Sequence, residues 1–372
     1  MIFNFFLALT SFLLIIYIGL LLYFRQGLFR LKKPTSSIQP FVSVIVPAHN
    51  EEKNMPVLLE ALSVQSYSPD KFEIILVDDR STDRTSDLMH AFAASRPNVR
   101  ILELKDIPHN TAPKKRAIRA AIEIAKGDII LTTDADSQPG ERWIETMLSY
   151  YADNTVMVLG YAPYTTSKPW QSFFHRLLAL EYFSMGAISA ASLGRGYPST
   201  SNGANFSYKR DAYLKAGGFG DTMQWMSGDD DLLMHRFHEK AIGTITYAFS
   251  PDAAVFNLPP EDLKHFFFQR VRFASKHLAY PPKMLLVLSA IYGLYLTLSI
   301  LLFGAFFSVK LAILFLLAMG IKSTGELAFL LPAQKQLEKR NLLKYYPLAV
   351  IPHLFYVVLF PLLGQAMKPR WS

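Results

Sequence analysis

The apolar and polar positions of this chain follow two regimes. Met1 to Phe24 carries no charged residue and is built almost wholly from Leu, Ile, Phe and Tyr. It exceeds the roughly 20 residues that cross a bilayer core. Met284–Phe307 is a second uncharged run of spanning length. Leu311–Leu331 is a third, interrupted by Lys322 and Glu326, and Tyr345–Met367 is a fourth holding three prolines. A span tolerates proline where neighbouring helices satisfy the freed backbone groups. A cleaved signal peptide is the rival reading of the first run, but there is no basic leader and no small-residue cleavage site, and the apolar core is too long. The pattern predicts a transmembrane anchor over residues 1–24 and a membrane region of about three helices over residues 284–367.

Between them, over residues 25–283, the period changes. Val42–Val46, Phe72–Val77, Val99–Leu104 and Asp128–Thr132 are short, largely β-branched runs that predict buried strands. Met55–Gln65, Thr82–Ala94 and Lys114–Ala125 predict the helices that separate them. Strands alternating with helices of this length predict an α/β domain with a mostly parallel sheet covered on both faces. In such sheets ligands bind beyond the carboxyl ends of the strands. Every conspicuous polar cluster of this half lies at one of those ends.

Composition narrows the classes. The 372 residues are 51% hydrophobic and include no cysteine, which excludes a disulfide scaffold, a thiolate zinc site and a cysteine nucleophile. Lys and Arg outnumber Asp and Glu by 38 to 30, a formal charge of +8. That excess needs no nucleic-acid partner, because basic residues beside spans serve topology. Arg25, Arg30, Lys32 and Lys33 follow the first span, and Lys335, Lys339, Arg340 and Lys344 separate the last two. The positive-inside rule places both groups, and the middle domain, in the cytoplasm of an integral membrane protein, with both termini outside. Lys368 and Arg370 pull the tail the other way, and a re-entrant third segment is the alternative.

Five clusters carry the candidate chemistry. Pro47-Ala48-His49-Asn50-Glu51-Glu52 follows the first strand and Asp78-Asp79-Arg80-Ser81-Thr82-Asp83 the second. Ser81 or Asp83 as a helix cap would explain one such residue. Two adjacent carboxylates at a strand end point further, to hydrogen bonds with a nucleobase or ribose, with His49 stacked on the base. Thr133-Asp134-Ala135-Asp136-Ser137 follows the fourth strand. Two aspartates at i and i+2 meet the demand of Mg²⁺ or Mn²⁺ for oxygen ligands, completed by substrate phosphates and water. Gly228-Asp229-Asp230-Asp231 opens a helix, where the dipole favours negative charge. Three like charges in a row also repel and raise at least one pKa, which suits a general base. Gln269-Arg270-Val271-Arg272-Phe273, with Lys276 and His277 behind it, is either a basic collar at the membrane surface or part of a site. The stripe Trp170, Phe173, Phe174, Leu177, Leu178 has helical spacing and reads as core packing or as an interfacial helix.

Taken as an ordered set over Val42 to Lys276, these motifs resemble the family 2 glycosyltransferases of the GT-A fold, whose membrane-anchored branch shares the flanking spans. The resemblance implies that Pro47, His49, Glu51, Asp78 and Asp79 hold the donor nucleotide. Lys114 would face the diphosphate, with Pro113 in place of the glycine common before it. Asp136 would bind a divalent metal, Mn²⁺ or Mg²⁺, with Asp134 supporting both metal and donor. Asp230 would be the catalytic base. Gln269, Arg272 and Phe273 correspond to Q-x-x-R-W on the acceptor and diphosphate side; Phe273 keeps an aromatic platform and loses the indole N–H.

The implied reaction moves a sugar from a nucleoside-diphosphate sugar to a lipid or glycan acceptor by metal-assisted displacement with inversion. A processive synthase extruding its polymer and a non-catalytic nucleotide-sugar-binding membrane subunit are the alternatives. Few spans, a charged third span and Phe273 favour single transfers to a membrane-embedded acceptor.

Overall fold

The computed structural model describes residues 1–106, 111–152, 154–165, 173–276, 280–338 and 340–367. Trp170, His277, Lys339, Lys368 and Arg370 therefore lie outside the described residues.

The chain opens with α1 (Ile2–Leu28), 27 residues long and mostly apolar up to Arg25 in its last turn. The α/β unit follows: β1 (Val42–Ala48), α2 (Met55–Ser63), β2 (Phe72–Asp78), α3 (Thr85–Ala93), β3 (Val99–Glu103), α4 (Pro113–Ile124) and β4 (Ile129–Thr132). Its second half is β5 (Ser137–Pro139), α5 (Trp143–Leu148), β6 (Thr155–Gly160), α6 (Phe173–Leu193), β7 (Phe206–Lys209), α7 (Arg210–Ala216), α8 (Asp231–Glu239), β8 (Thr244–Ala248) and β9 (Val255–Asn257). The chain then passes through α9 (Leu263–Ala274) into α10 (Pro282–Gly304), α11 (Val309–Leu337) and α12 (Tyr346–Ala366).

Among the described residues seven strands form one sheet in the order β3-β2-β1-β4-β7-β6-β8, and β5 pairs with β9. β3, β2, β1 and β4 are parallel, as the alternation of strands and helices predicted. β7 is not: it runs antiparallel between β4 and β6, and β8 then pairs parallel with β6. The predicted helix from Thr82 begins at Thr85, because the preceding residues are taken up by the turn after β2.

Both faces of the sheet are covered. β1 and β2 are buried along nearly their whole length, as expected of continuous apolar strands in a parallel sheet. Ile45, Ile75 and Ile130 face one core with α4 and α6, while Val44, Ile74 and Leu131 face the other with α2 and α5.

Four helices are long and apolar enough to cross a membrane: Ile2–Leu28, Pro282–Gly304, Val309–Leu337 and Leu342–Ala366. α11 runs unbroken for 29 residues through Lys322 and Glu326, so the third segment is one continuous helix. Its Pro332 has no N–H for the Ala328 carbonyl one turn back. Arg25 of α1 donates to that carbonyl from Nε at 3.0 Å, so the end of the first long helix satisfies the backbone of the third.

Candidate active site

The sheet winds from β1 through β2 to β3 on one side and to β4 on the other, so its topological switch point falls between β1 and β4. A ligand crevice opens there. β4 stops at Thr132, level with Ile45, whereas β1 runs on to Ala48.

On the β1–β2 side, the turns that follow the two strands clasp one another. Asn50 and Arg80 both adopt left-handed backbone, at φ 55° and 64°; asparagine tolerates this, and for arginine it is strained. The Asn50 N–H donates to Ser81 Oγ at 3.0 Å, and the Thr82 N–H donates to Asn50 Oδ1 at 2.8 Å. His49 donates from Nδ1 to the Asp79 carbonyl at 2.7 Å, which fixes an exposed imidazole at the crevice mouth. Pro47 is half-buried in β1 behind it.

The two adjacent carboxylates are nearly covered, at 6% exposure for Asp78 and 4% for Asp79. Asp78 accepts the Ser81 N–H at 3.0 Å. Asp79 takes Arg80 Nε at 2.8 Å and pairs closely with Arg116. Asp83 accepts the Thr85 N–H at 3.0 Å and the Glu52 N–H at 3.1 Å, so it shapes the entry to α3, as a capping residue would.

On the β4 side, Lys114 in the first turn of α4 reaches Asp134 Oδ1 at 2.6 Å and Asp229 Oδ2 at 2.8 Å. Burial works against its charge, and the two carboxylates more than restore it, holding the ammonium above its ordinary pKa. Gly203 makes this contact possible: a Cβ there would stand 2.8 Å from Lys114 Nζ and 2.9 Å from Asp229 Oδ2. Its neighbour on α4, Lys115, is 1% exposed and donates to the Thr222 carbonyl at 2.7 Å. Burial pushes that ammonium down to about 8.

Asp134 and Asp136 stand across the crevice from Glu51. Burial, followed by the charges of Asp134 and Glu51, raises the Asp136 carboxyl to about 7. Glu51 is raised as well, first by burial, with Asp134 adding to it. The recess thus holds more carboxylates than the single Lys114 ammonium balances, and these hard oxygen ligands fit a divalent cation. Among the described residues no three His, Asp or Glu side chains form a ready-made cage, so the protein itself offers one or two carboxylates, the number Mg²⁺ usually takes.

The three consecutive aspartates separate by partner. Asp229 belongs to Lys114. Asp231 pairs with Lys276 at 2.7 Å and accepts the Tyr280 hydroxyl at 2.7 Å; against the opposing effect of burial, these partners bring its carboxyl down to about 2. Asp230, between them, has Lys276 only at 3.9 Å. Burial and then the like charge of Asp231 raise it to about 6, a value suited to taking a proton near neutrality.

The Gln269–Phe273 motif lies on α9. Gln269 accepts the Tyr164 hydroxyl at 3.1 Å. Arg272 is half-buried with its guanidinium 5.3 Å from the Phe273 ring. The arginine at the centre of the packing is Arg270, which sequence reading passed over. It is 1% exposed, pairs with Glu181 at 2.8 Å, and lies within 5.6 Å of the rings of Tyr182, Phe266, Phe273 and Tyr356. Its partners come from α6, α9 and α12, so no local pattern announces them.

Residues 43–217 match the family model for glycosyl transferase family 2. The chain carries a family 2 glycosyltransferase domain. The matched stretch runs from β1 to the end of α7, and so contains the crevice, Lys114, Asp134, Asp136 and Gly203. Over 97% of this chain and 99% of the other, the fold is that of the mannosyltransferase PcManGT from Pyrobaculum calidifontis, solved in complex with GDP-Man and Mn²⁺, with a TM-score of 0.65 and 21% identity. This is the GT-A fold. Glycosyltransferase AglE of Haloferax volcanii is 32% identical over 125 residues, 34% of this chain and 40% of that one. The undecaprenyl-phosphate 4-deoxy-4-formamido-L-arabinose transferase of Pectobacterium carotovorum is 38% identical over 112 residues, 30% of this chain and 33% of that one. The chain thus matches these curated relatives over less than half of their length. The glycosyltransferase domain is the shared part.

Proposed function

We propose that the protein is a membrane-anchored glycosyltransferase that moves a sugar from a nucleoside-diphosphate sugar to a lipid or lipid-linked glycan acceptor. The observation that carries this reading is the separation of the three aspartates. Among the described residues Asp230 has the most distant cation of the three, Lys276 at 3.9 Å, and Lys114 links its neighbour Asp229 to Asp134 of the D-x-D turn. A proton acceptor and a diphosphate-facing cation in one crevice are what glycosyl transfer requires.

In this reading Pro47, His49, Glu51 and the Asp78/Asp79 pair bind the nucleoside, and Lys114 faces the diphosphate. Asp136, with Asp134, would hold Mn²⁺ or Mg²⁺, which supplies charge to stabilise the departing diphosphate. Where the acceptor attacks through a hydroxyl, Asp230 takes its proton as the oxygen reaches the anomeric carbon from the face opposite the leaving group, and the sugar inverts; a lipid phosphate would attack through an oxygen already ionised. Gln269, Arg272 and Phe273 border the acceptor and diphosphate side. Residues 25–283 are the transferase domain, between an anchor over 1–24 and a membrane region over 284–367. The basic residues beside the spans support a cytoplasmic domain, and the naming of a relative for undecaprenyl-phosphate supports a lipid acceptor.

The test is to incubate membranes containing the full-length protein with a panel of labelled nucleoside-diphosphate sugars and Mn²⁺, then to separate lipid and polymer fractions. Label entering the lipid fraction from one donor, and not in the Asp230→Asn variant, is the expected result. No transfer from any donor rejects the reading.

A further inference from the structure

Lys276, grouped above only as a basic residue behind the Gln269–Phe273 motif, stands beside the aspartate turn. It follows α9, is 9% exposed, and places Nζ 2.7 Å from Asp231 Oδ2 and 3.9 Å from Asp230 Oδ1. Tyr280, 8% exposed and immediately before the Pro281-Pro282 step into α10, donates its hydroxyl to the same Asp231 oxygen at 2.7 Å. Two adjacent buried carboxylates cannot both stay ionised without a cation close by. We propose that Lys276 is a positioning residue for Asp230. Together with Tyr280 it holds Asp231 aside as a paired carboxylate, and it keeps Asp230 ionised and oriented toward the acceptor. The proposal rests on the reading of Asp230 as the base.

Among the described residues, the other groups facing Asp230 leave this task to Lys276. Asp229 is paired with Lys114, and the Lys115 ammonium is turned to the Thr222 carbonyl. His235 faces Asp231 from α8, and burial lowers its pKa, so it adds little positive charge near neutrality. Because Lys276 trails α9 and Tyr280 leads into α10, the setting of the base is held by the entrance to the membrane region.

The test is the pH–rate profile of sugar transfer by the full-length membrane protein as wild type, K276M, K276R and Asp231→Asn. In K276M the rate near neutrality falls about tenfold or more, and the acidic limb moves up by roughly one unit. Part of the loss therefore returns at alkaline pH, which a merely structural defect would not do. K276R keeps the charge and the limb. Asp231→Asn removes the like charge and frees Lys276 for Asp230, so its limb moves down.

A second readout needs no activity. The lowered pKa of Asp231 gives stability that is present above its unfolded value and lost only as pH falls toward the folded one. Without Lys276 that pKa rises, so the unfolding midpoint of K276M falls relative to wild type as pH is raised from about 5 to about 8. A K276M variant with wild-type limb and midpoint profile overturns the proposal, and so does an unmoved limb in Asp231→Asn, which carries the test alone if K276M does not fold. If wild type transfers no sugar, the proposed activity is what fails, and the midpoint profile still reports whether Lys276 holds Asp231.

Discussion

Lys114 Nζ lies 2.8 Å from Asp229 Oδ2, and this ion pair ties the first turn of α4 to the turn that opens α8. Both side chains are largely enclosed, at 12% and 10% exposure. Removing the cation leaves Asp134 and Asp229 facing a donor diphosphate without their counter-charge. Lys114→Met is expected to weaken nucleoside-diphosphate binding by about tenfold or more, the worth of a charge-assisted contact. Lys114→Arg should rescue it poorly, because a wider guanidinium meets the Gly203 backbone. Titration calorimetry with the nucleoside diphosphate checks both.

Activity is expected to depend on Mn²⁺ or Mg²⁺, because Asp134, Asp136 and Glu51 gather negative charge where a diphosphate would lie. Asp136→Asn should lose most turnover while its unfolding midpoint stays within a few degrees of wild type. Full activity in excess chelator would show that the aspartates serve another purpose.

Asp230→Asn is expected to slow transfer by roughly two to four orders of magnitude, the usual worth of a general base, with little change in donor affinity. Asp231→Asn should retain far more activity. The carboxyl of Asp230 is raised to about 6, and a base acts only when deprotonated, so the rate should fall as pH drops through that value and level off above it. A flat profile from pH about 5 to 8, or a dead Asp231→Asn with an active Asp230→Asn, would move the base elsewhere.

Glu326 engages side chains from all four helices that are long and apolar enough to cross a membrane. It pairs with Lys322 of α11 at 2.8 Å and accepts hydroxyls from Tyr17 of α1, Tyr295 of α10 and Tyr346 of α12. Lys322 is fully buried. Truncating one partner of such a pair strands the other, so Lys322→Leu or Glu326→Leu should each destabilise the helix bundle by about 3–5 kcal/mol, and the double variant by less than either. Unfolding midpoints in a single detergent give the comparison; single variants as stable as wild type would show that the pair is not needed to hold the four helices together.

Single transfer to a membrane-embedded acceptor, without polymer extrusion, is the expected mode. Phe266 and Phe267 of α9 pack on Phe360 of α12, which sets the Gln269–Phe273 motif against a helix apolar and long enough to cross a membrane. Lys322 and Glu326 are spent on each other and on tyrosines, so they line no open path. Product size from the purified enzyme and one donor decides this: a lipid bearing one sugar is expected, and a ladder would refute it.

Much of this architecture is local and was legible in the order of residues. Apolar runs of spanning length, the third carrying Lys322 and Glu326, set the four long helices, because a bilayer-sized helix needs only composition. Alternating β-branched and helical stretches set β1 to β4, because a strand buried on both faces needs no partner to reveal it. The polar ends of those strands mark the crevice at the sheet's switch point. Other features depended on segments that meet only in three dimensions. β7 enters the sheet antiparallel beside β4 from some seventy residues later in the chain. Asp229, Asp230 and Asp231 are equivalent as letters and differ through Lys114, Lys276 and Tyr280, which approach from α4 and from beyond α9. Gly203 and Arg270 matter because of what stands next to them, not because of their own neighbours in sequence. Charge and period are properties of a residue and its run, whereas pairing, desolvation and close approach belong to contacts, and those the tertiary structure alone decides.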